Sequence, residues 1–399
     1  MCPMGTYATN IRKTVDKCIV PMTDNEGLQK IRNEIDRIDS ELIPLFVERM
    51  RCSEKVAEIK RSEGIAVLDK DREKKVLEKV RGNAGEYGDA ASVLYAAMMS
   101  ISRARQHQLL DTGKTVREME SSAPRKLDLD GKRILCQGTD GAYSHKATLQ
   151  FMEQNGSGNI GFKGTWKEVF DSVNVGNADF GVLPVENSSA GSVYDVYSMI
   201  LKYRLHIVGV AAVKISHCLA SVESGTIKRV ISHPQALAQC SSYISEKGFT
   251  AEEFSNTAMA AKYVKEKNDP DLAAICSEDA AAEFGLRILE KDIQDMSYNT
   301  TRFVLLSKTP ILPDDANKIG LCFSLPHTSG SLYSILERFA INGLNLTKIE
   351  SRPIPGSNFD YQFYLDFTGN VHDQGTLNLI RILSDELPEF SFLGNYREI

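Results

Sequence analysis

Apolar residues recur at intervals of three and four positions from Leu28 to Ser62, which is the period of an α-helix that buries one face. The stretch predicts a helix of roughly 35 residues, longer than ~50 Å at the helical rise per residue. Pro44 lies inside it and predicts a kink or a local break. Shorter helices are predicted over Asp69–Val80 and Ala90–Leu110. Three helices cannot cover so long a member alone, so the pattern predicts a dimer that shares its core. The periodic apolar positions are Ile31, Ile35, Ile38, Leu42, Leu45, Val56 and Ile59.

The pattern changes after a polar stretch at residues 111–131, which contains Gly113 and Pro124 and is predicted to be a linker. Short runs rich in β-forming residues then alternate with helical stretches. This alternation predicts an α/β domain over residues 132–309, with mostly parallel sheets covered by helices. The predicted strands are Arg133–Cys136, Phe180–Val185, Ile207–Val213, Arg229–Ile231, Leu272–Cys276 and Arg302–Leu306, and the helices are Ala147–Gln154, Val193–Leu201, Ala236–Lys247 and Asp279–Phe284.

A second linker around Pro310 and Pro313 leads into a small repeated pattern over residues 317–399. The order strand, helix, strand, strand, helix, strand predicts a ferredoxin-like α+β domain. With the helical domain at residues 26–110, an N-terminal extension at residues 1–25 completes the predicted organisation. The predicted elements are Lys318–Ser324, Ser331–Ile341, Leu346–Ser351, Tyr361–Phe367, Thr376–Glu386 and Glu389–Gly394.

Composition excludes several classes of protein. The chain has 399 residues, and because domains cluster near ~100–150 residues it should fold as several domains. A net charge of -6 argues against nucleic acid as the main partner. The eight cysteines and seven histidines lack metal-ligand spacing, which favours free thiols in the cytoplasm and no metal. No apolar run reaches the ~18–20 residues of a membrane span. Met1–Val20 lacks the apolar core of a signal peptide, and Met22 is an alternative start.

Two cations on the long helix are placed to hold a small dianion. Arg49 and Lys60 return to within about 20° of each other around the helix and stand ~16 Å apart along it. Arg32 is about 25 Å from Arg49 and about 100° round, so it reaches that site only from a partner chain. The alternative is that all three are solvated cations of an amphipathic helix.

The helical domain resembles the all-helical chorismate mutase family. The resemblance rests on the run from Ile31 to Asp39, on Glu48-Arg49-Met50, on Lys60 and on the run from Asp69 to Glu73. It implies rearrangement of chorismate to prephenate, with Lys60 and Gln106 donating hydrogen bonds to the ether oxygen as negative charge builds there. The arginines would clamp the carboxylates, and Glu73 would bind the substrate hydroxyl or orient Lys60. The implied site residues are Arg32 from the partner, Arg49, Lys60, Asp69, Arg72, Glu73, Ser102 and Gln106.

Three polar loops follow or enter strands of the α/β domain: Gln137–His145, Pro184–Ser192 and Asn299–Phe303. Ligands bind at the carboxyl ends of parallel strands, and backbone N–H groups in such loops suit carboxylates. Taken singly, each loop is better explained as a turn or a helix cap than as a binding site. Together with Ser232–Gln235 and Ser255–Ala258, they resemble prephenate dehydratase over residues 132–308.

This second resemblance implies two α/β lobes, like those of periplasmic-type binding proteins, with the site in the cleft. A non-catalytic amino-acid receptor could share that fold, but the Thr301-Arg302-Phe303 motif favours the enzyme. Thr301 would donate to the departing hydroxyl and Arg302 would anchor a carboxylate or the loop, while Glu186 and His145 remain alternative proton sources. Ala142 replaces the usual Ser or Thr, and Gln137-Gly138 replaces the usual Gly-Pro. The implied cleft residues are Ser144, His145, Glu186, Asn187, Ser188, Gln235, Thr257, Thr301 and Arg302.

One short motif, Gly156–Gly161, fits the G-x-G-x-x-G fingerprint of dinucleotide sites. A nicotinamide cofactor would make the domain a prephenate dehydrogenase. The motif follows a helical stretch instead of a strand, and no helix follows it directly, so it is predicted to be a turn. No cofactor is expected.

The C-terminal domain resembles the ACT regulatory domain attached to prephenate dehydratases. The resemblance rests on Thr328–Tyr333 and on Glu350–Pro353, and it implies a phenylalanine site held between subunits. The alternative is an ordinary turn and strand end. The implied effector residues are Gly330, Ser331, Leu332, Glu350, Ser351 and Arg352.

Taken together, the three resemblances imply an enzyme of phenylalanine biosynthesis that acts on chorismate and prephenate and is inhibited by phenylalanine, as a homodimer or dimer of dimers. The alternatives are an amino-acid-binding regulatory protein with decayed catalytic sites and a mutase fused to prephenate dehydrogenase.

Overall fold

The computed structural model describes residues 26–223, 225–328, 330–354 and 361–399. The predicted N-terminal extension, with Met1 and Met22, lies outside the described residues. The chain divides into two compact units between Leu110 and Asp111.

The described part of the first unit, from residue 26 onward, contains three α-helices. Helix α1 spans Glu26–Glu63 and runs without a break through Pro44. Helix α2 spans Lys70–Asn83, and helix α3 spans Gly88–Leu110 after a single 3₁₀ turn. All three predicted helices are therefore confirmed. Asp69 caps α2 by accepting the Arg72 N–H at 2.9 Å, which satisfies one free amide of the first turn.

Among the described residues, the buried side chains of α1 lie in its C-terminal half. Ser53 and Ala57 are buried in that half, but the apolar stripe of the other half faces outward. Ile31 is 55%, Ile35 50% and Leu42 53% exposed. A stripe of this size on a helix is typical of a surface that another element covers.

The second unit begins with a helix in the stretch predicted as a linker. Helix α4 spans Lys114–Ser122, and its Val116 is buried in the C-terminal core. The sequence pattern did not predict this helix, because its apolar face amounts to Val116 and Met119 and is completed by packing against a later helix.

Two α/β lobes follow, each with a five-stranded path of mixed direction. The first sheet has the order β2-β1-β3-β11-β5, with β4 on β3, and the second has the order β10-β6-β9-β7-β8. The prediction of mostly parallel sheets is wrong in part, because β11 and β6 run antiparallel to their neighbours. The elements are β1 Arg133–Gln137, α5 Tyr143–Asn155, β2 Asn159–Lys163, α6 Trp166–Asn174, β3 Phe180–Asn187, β4 Gly191–Ser192, α7 Tyr194–Tyr203, β5 His206–Lys214, β6 Cys218–Ser221, β7 Arg229–Ser232, α8 Pro234–Gln239, α9 Ser241–Lys247, β8 Thr250–Glu253, α10 Thr257–Lys267, β9 Leu272–Cys276, α11 Glu278–Glu283, β10 Arg287–Glu290 and β11 Thr300–Ser307.

The G-x-G-x-x-G segment is a connection between a helix and a strand. Gly156 ends α5, and β2 begins at Asn159 inside the motif. A dinucleotide site needs the opposite order, strand before and helix after. The predicted turn is therefore present at Gly156–Gly158, whereas Asn159–Gly161 belong to β2.

The C-terminal part has the predicted βαββαβ order. Its sheet, β13-β14-β12-β15, carries α12 and α13 on one face. The other face packs on the first α/β lobe, where Cys322, Tyr364 and Tyr396 share a core with Val196 and Ile200. The elements are β12 Lys318–Leu325, α12 Ser331–Ile341, β13 Leu346–Pro353, β14 Tyr361–Thr368, α13 Gln374–Glu386 and β15 Ser391–Tyr396.

One carboxyl group is buried at this contact. Burial raises the pKa of Asp366 on β14 to about 6, although Lys348, Arg302 and Lys318 act to lower it. Below the pKa that Asp366 has in the unfolded chain, the carboxyl is protonated in both states and the fold keeps its full stability. As pH rises through about 6, the folded protein must hold a buried carboxylate, and that stability is lost.

We therefore expect Asp366→Asn to gain stability relative to the wild type as pH rises. Between pH 4 and pH 8 the gain should be about 2 kcal/mol, because the variant carries no buried charge to ionise. Urea unfolding of both proteins across this range measures it, with Asn at exposed Asp195 as the control for lost charge. A stability difference that is constant with pH would contradict the buried ionisation.

Candidate functional sites

Arg49 and Ser102 form the first part of a polar cluster inside the helical unit. The Arg49 guanidinium donates to the Ser102 hydroxyl at 2.8 Å and to the Met98 carbonyl at 3.5 Å. These contacts hold the cation of α1 against α3. The structure thus joins two of the predicted site residues, and the Arg49 guanidinium keeps further N–H groups for an anion.

Lys60 lies near the acidic start of α2. Its ammonium donates to the Val67 carbonyl. Burial lowers the pKa of Lys60, although Asp69 and Glu73 act to raise it. Glu73 is paired with Arg103 of α3. Arg103 belongs to none of the sequence motifs, although it lies three residues before Gln106 on the same helix.

Gln106 completes the cluster with an unsatisfied group. Its Nε2 donates to the Ser53 hydroxyl at 2.8 Å, while its Oε1 is buried and has no partner among the described residues. Buried amide oxygens are seldom left without a hydrogen bond. A rotation of the amide by half a turn would pair Oε1 with the Ser53 hydroxyl and present Nε2 to a ligand.

The remaining predicted residues of this site lie at its edge or away from it. Asp69 acts as the cap of α2, and Arg72 follows it in the first turn. Arg32 is exposed and lies on the N-terminal half of α1, 17 residues before Arg49 on the same helix. Because α1 is continuous, Arg32 and Arg49 are separated along it as the sequence predicts. The expectation that Arg32 acts from a partner chain stays a prediction.

A cleft in the second unit is lined by residues of both α/β lobes. Five predicted residues line it: Ser144, Asn187, Gln235, Thr257 and Thr301. The loop before α5 reaches the second lobe, where Ser277 donates to the Gly141 carbonyl at 2.8 Å. Gly141 has φ +74, and a side chain there would lie 2.5 Å from the Ala280 backbone, so this close approach requires glycine.

The cleft is arranged for an anion although its lining is neutral. Two helix N-termini with free N–H groups reach it, those of α5 at Ser144 and α10 at Thr257. Such N-termini carry partial positive charge and unpaired N–H groups. At the start of α8, Pro234 has no N–H, and the Gln235 N–H donates to His233 Nδ1 at 3.2 Å. Among the residues the structure describes there, none of the lining side chains is Lys, Arg, Asp or Glu. Carboxylates would therefore be bound by dipoles and N–H donors.

The hydroxyl of Thr301 is oriented by Asn187. The amide oxygen of Asn187 accepts from the N–H of Ser189 at 3.1 Å and of Ala190 at 3.0 Å, which fixes the amide. Its Nδ2 then donates to Thr301 Oγ1 at 2.8 Å. Because Thr301 accepts at its oxygen, its hydroxyl proton is free to point into the cleft.

A chain of hydrogen bonds continues from Asn187 to residues that the sequence analysis missed. Ser189 Oγ donates to Asn187 at 2.6 Å, and Gln239 donates to Ser189 at 2.9 Å. Gln239 Oε1 lies 3.1 Å from Nε2 of His217. Both Gln239 and His217 line the cleft, as does Trp166. His217 could have been found from its position three residues after the apolar strand β5, where polar residues often line a binding site.

Both histidines of the cleft favour the neutral form. Burial lowers the pKa of His217, although its bond to Gln239 acts to raise it. Burial also lowers the pKa of His233, although Glu253 acts to raise it. At neutral pH the site therefore offers neutral hydrogen-bonding groups and no strong acid among its described lining residues.

Glu186 and Arg302 lie behind the sheet, which contradicts the prediction that Glu186 lines the cleft. They pair with each other at 3.1 Å between adjacent strands. Successive side chains of a strand face opposite sides, so Asn187 and Thr301 face the cleft while their neighbours face the C-terminal sheet. Arg302 therefore cannot bind a substrate carboxylate directly in this arrangement.

Two other predicted cleft residues have structural contacts instead. His145 accepts the Gly141 N–H at 3.1 Å and does not line the cleft. Ser188 donates to the Tyr298 carbonyl and accepts the Thr300 N–H, each at 3.0 Å, so it joins the loop after β3 to β11. Neither Glu186 nor His145 is thus placed to give a proton to a ligand in the cleft.

Ala142 stands at the N-cap of α5, where no side chain makes a capping bond. The departure from the family pattern therefore removes a hydroxyl from this position. Ser144 Oγ donates to the Gln137 carbonyl at 2.5 Å and holds the loop.

The C-terminal domain has a cavity of about 400 Å³ at the start of α12. Ser331 and Leu332 line it, and Gly330 caps the helix with φ +84. Glu350 and Arg352 are directed elsewhere: Ser192 donates to Glu350 at 2.5 Å, and Arg352 stacks on the ring of Tyr194. Ser351 lies on the opposite, exposed face of β13. The structure thus does not bring the two predicted halves of the effector site into one cavity.

Among the described residues, no group of three or more His, Cys, Asp or Glu side chains is placed to hold a metal ion. Within the same part of the chain, no helix is long and apolar enough to cross a membrane.

Comparisons with known proteins match both units. The model of chorismate mutase type II matches residues 31–107, and that of prephenate dehydratase matches residues 134–311. A bifunctional chorismate mutase/prephenate dehydratase of Aquifex aeolicus is 31% identical over 93% of this chain and 98% of its own. The chloroplastic arogenate dehydratase/prephenate dehydratase 2 of Arabidopsis thaliana is 38% identical over 66% of this chain and 72% of its own. The solved prephenate dehydratase of Arthrobacter aurescens, in complex with L-Phe, has 31% identity and a TM-score of 0.60, over 66% of this chain and 89% of that one.

Proposed function

This chain belongs to the bifunctional chorismate mutase/prephenate dehydratase family, and we propose that its helical unit converts chorismate to prephenate while the cleft of its second unit converts prephenate to phenylpyruvate. The chain is an enzyme with an isomerase and a lyase activity in phenylalanine biosynthesis. The observation that carries this assignment is the match of both domain models, in this order, together with a bifunctional relative that aligns over 93% of the chain.

The mutase reaction needs binding and charge stabilisation alone. We propose that Arg49, with Arg32 from a second chain, holds the two carboxylates of chorismate in the reactive conformer. As the ether bond breaks, negative charge on its oxygen is stabilised by Lys60 and by the rotated Gln106 amide. The buried Gln106 oxygen without a partner supports this role. Glu73, which pairs with Arg103, would bind the substrate hydroxyl or orient Lys60.

The dehydratase reaction removes the ring hydroxyl and the ring carboxylate of prephenate together, as water and CO₂, with uptake of one proton. We propose that Thr301 donates its hydroxyl proton in a hydrogen bond to the departing oxygen, since Asn187 already occupies its acceptor side. The helix N-termini at Ser144 and Thr257 hold the carboxylates. Aromatisation of the ring supplies the driving force.

A close chemical alternative is arogenate, which carries an amine where prephenate has a keto group. One relative is named for both substrates. The described cleft lining has no carboxylate that would pair with the ammonium of arogenate, which favours prephenate.

The direct test of the cleft is purified protein with prephenate and no nicotinamide cofactor. We expect phenylpyruvate to form, and with a higher kcat/KM than arogenate conversion to phenylalanine. Equal or faster use of arogenate would contradict the substrate choice. Failure to convert either compound would favour a binding protein with a decayed site.

We propose that the C-terminal domain is an ACT domain that binds phenylalanine and inhibits the dehydratase. Its ferredoxin-like topology and the cavity at Ser331 support this, and the solved relative contains L-Phe. The N-terminus of α12 suits the carboxylate of an amino acid. Glu350 and Arg352 contact Ser192 and Tyr194 of the first lobe, so strand β13 joins the two domains.

We expect Gly330→Ala to weaken phenylalanine inhibition roughly tenfold, because alanine disfavours this left-handed conformation by about 1–2 kcal/mol. Part of the binding free energy of phenylalanine would then be spent on returning residue 330 to its left-handed conformation. Inhibition curves with prephenate as substrate measure the shift. Gly343→Ala is the matched control, since Gly343 also has positive φ and open space but lies at the far end of α12. An unchanged half-inhibitory concentration in Gly330→Ala would contradict the site.

We propose further that the protein is a homodimer or a dimer of dimers in the cytoplasm. The exposed apolar stripe of α1, with Ile31, Ile35 and Leu42, supports a second copy packed there. The described cysteines are free thiols, which supports a reducing compartment such as the cytoplasm. Light scattering of the purified chain should give the mass of two or four chains. A monomer mass would contradict both the shared core and the role of Arg32 across it.

A further inference from the structure

Residues 397–399 join the C-terminal domain to the catalytic sheet. They lie alongside β5, the edge strand, where Val210 donates to the Arg397 carbonyl at 3.1 Å and Ala212 donates to the Ile399 carbonyl at 2.9 Å. The Ile399 N–H returns a bond to the Val210 carbonyl at 2.8 Å. The segment thus covers an otherwise open sheet edge with regular backbone bonds.

The carboxylate of Glu398 reaches the strand that bears Thr301. It pairs with the Arg302 guanidinium and, at 3.1 Å, with the Lys318 ammonium. Burial acts to raise the pKa of Glu398, but Arg302 and Lys318 together hold it below its usual range. At neutral pH the group is therefore a fixed anion beside Arg302.

Arg302 is held between two carboxylates from different segments. Glu186 of β3 lies 3.1 Å away, and Glu398 holds another nitrogen of the same guanidinium. The side chains of Arg302 and Glu398 are 24% and 25% exposed, so solvent screens the attraction between their charges only in part. A cation that loses one of two such partners in a partly buried place is left poorly compensated.

The position of Arg302 bears on Thr301 through the strand they share. The two residues are adjacent at the start of β11 and face opposite sides of the sheet. Glu186 likewise precedes Asn187, which orients the Thr301 hydroxyl. Glu398 and Glu186 together therefore fix the back of the strand pair whose front carries Thr301 and Asn187.

We propose that Glu398 is a positioning residue for the dehydratase reaction: by holding Arg302 from the C-terminal segment, it keeps Thr301 aligned with the departing hydroxyl of the substrate. The inference rests on the proposed dehydratase function of the cleft. It also gives Arg302 a role behind the sheet in place of direct contact with substrate.

The test is Glu398→Gln in the full-length chain, with prephenate and chorismate assayed separately. Glutamine keeps the shape of the side chain and removes its charge. We expect the dehydratase kcat to fall about tenfold, because a displacement of the Thr301 hydroxyl by part of an ångström slows the reaction to that extent. The KM for prephenate should stay close to the wild-type value, because Glu398 does not line the cleft. Mutase kcat is the internal measure of intact protein, and Glu398→Asp should recover part of the lost activity.

Arg397→Gln is the matched control in the same segment. Arg397 pairs with Asp315 at 2.9 Å on the surface, with both side chains more than half exposed, and it does not contact Arg302. We expect it to keep wild-type dehydratase activity. Wild-type kcat in Glu398→Gln, or an equal loss in Arg397→Gln, would overturn the inference. Failure of the proposed function itself would show in the wild-type chain, which is assayed first.

Discussion

Replacing Thr301 by alanine should lower the dehydratase kcat by roughly 10²–10³-fold, the cost typical of removing one donor that acts on developing charge. The hydroxyl accepts from Asn187 at 2.8 Å and keeps its proton for the departing oxygen of prephenate. Because alanine removes an interaction that strengthens in the transition state, kcat should fall far more than KM rises. Rates of phenylpyruvate formation at saturating and limiting prephenate measure this split.

Two further variants distinguish loss of the Thr301 hydroxyl from general damage to strand β11. Thr301→Ser restores a hydroxyl and should recover most of the activity. Thr300→Ala changes the adjacent residue, whose side chain does not line the cleft, and should leave kcat near the wild-type value. Conversion of chorismate to prephenate should be unaffected in all three proteins. Full dehydratase activity in Thr301→Ala would remove Thr301 from the reaction.

Replacing Lys60 by alanine should lower the mutase kcat by roughly 10²–10³-fold, with a much smaller change in KM. The ammonium lies between the start of α2 and the cluster on α3, and partial burial strengthens its field on the ether oxygen. Stopped assays of chorismate loss give kcat and KM, and dehydration of added prephenate should remain normal.

The Lys60 assignment also predicts a pH dependence. Burial lowers the pKa of Lys60, and the ammonium is the active form, so mutase activity should decline at high pH earlier than an ordinary lysine would allow. Lys55→Ala, a change at an exposed lysine of the same helix, is the matched control and should keep wild-type rates. A variant Lys60→Ala that changes KM alone would contradict its role in the transition state.

Much of the fold could be predicted from hydrophobic period. Long elements with a full period were predicted nearly to their ends, as with α1 and with α12, which spans Ser331–Ile341 as expected. Elements whose apolar face depends on tertiary packing were missed, among them α4 and the short strands β2, β6, β8 and β10. Strand direction was also predicted poorly, because β11 and β6 return antiparallel from connections whose path the sequence does not specify.

The candidate sites show the same division. Motifs identified Thr301, Asn187 and Ser144, and the structure gathers them in one cleft. Glu186 and Arg302 were assigned to that cleft although each is adjacent to a residue that faces it, and the strand period already places neighbours on opposite sides. Arg103, His217 and Gln239 carry no motif signal of their own, and they enter the sites through contacts between elements distant in sequence.

A coupled assay on the purified 399-residue chain, with chorismate as the sole substrate, tests the bifunctional assignment. Chorismate loss and phenylpyruvate formation are followed together, without nicotinamide cofactor, with and without phenylalanine. We expect phenylpyruvate to form from chorismate through prephenate, and phenylalanine to suppress the second step. Prephenate that accumulates without further conversion, or product formation that requires a nicotinamide cofactor, would contradict it.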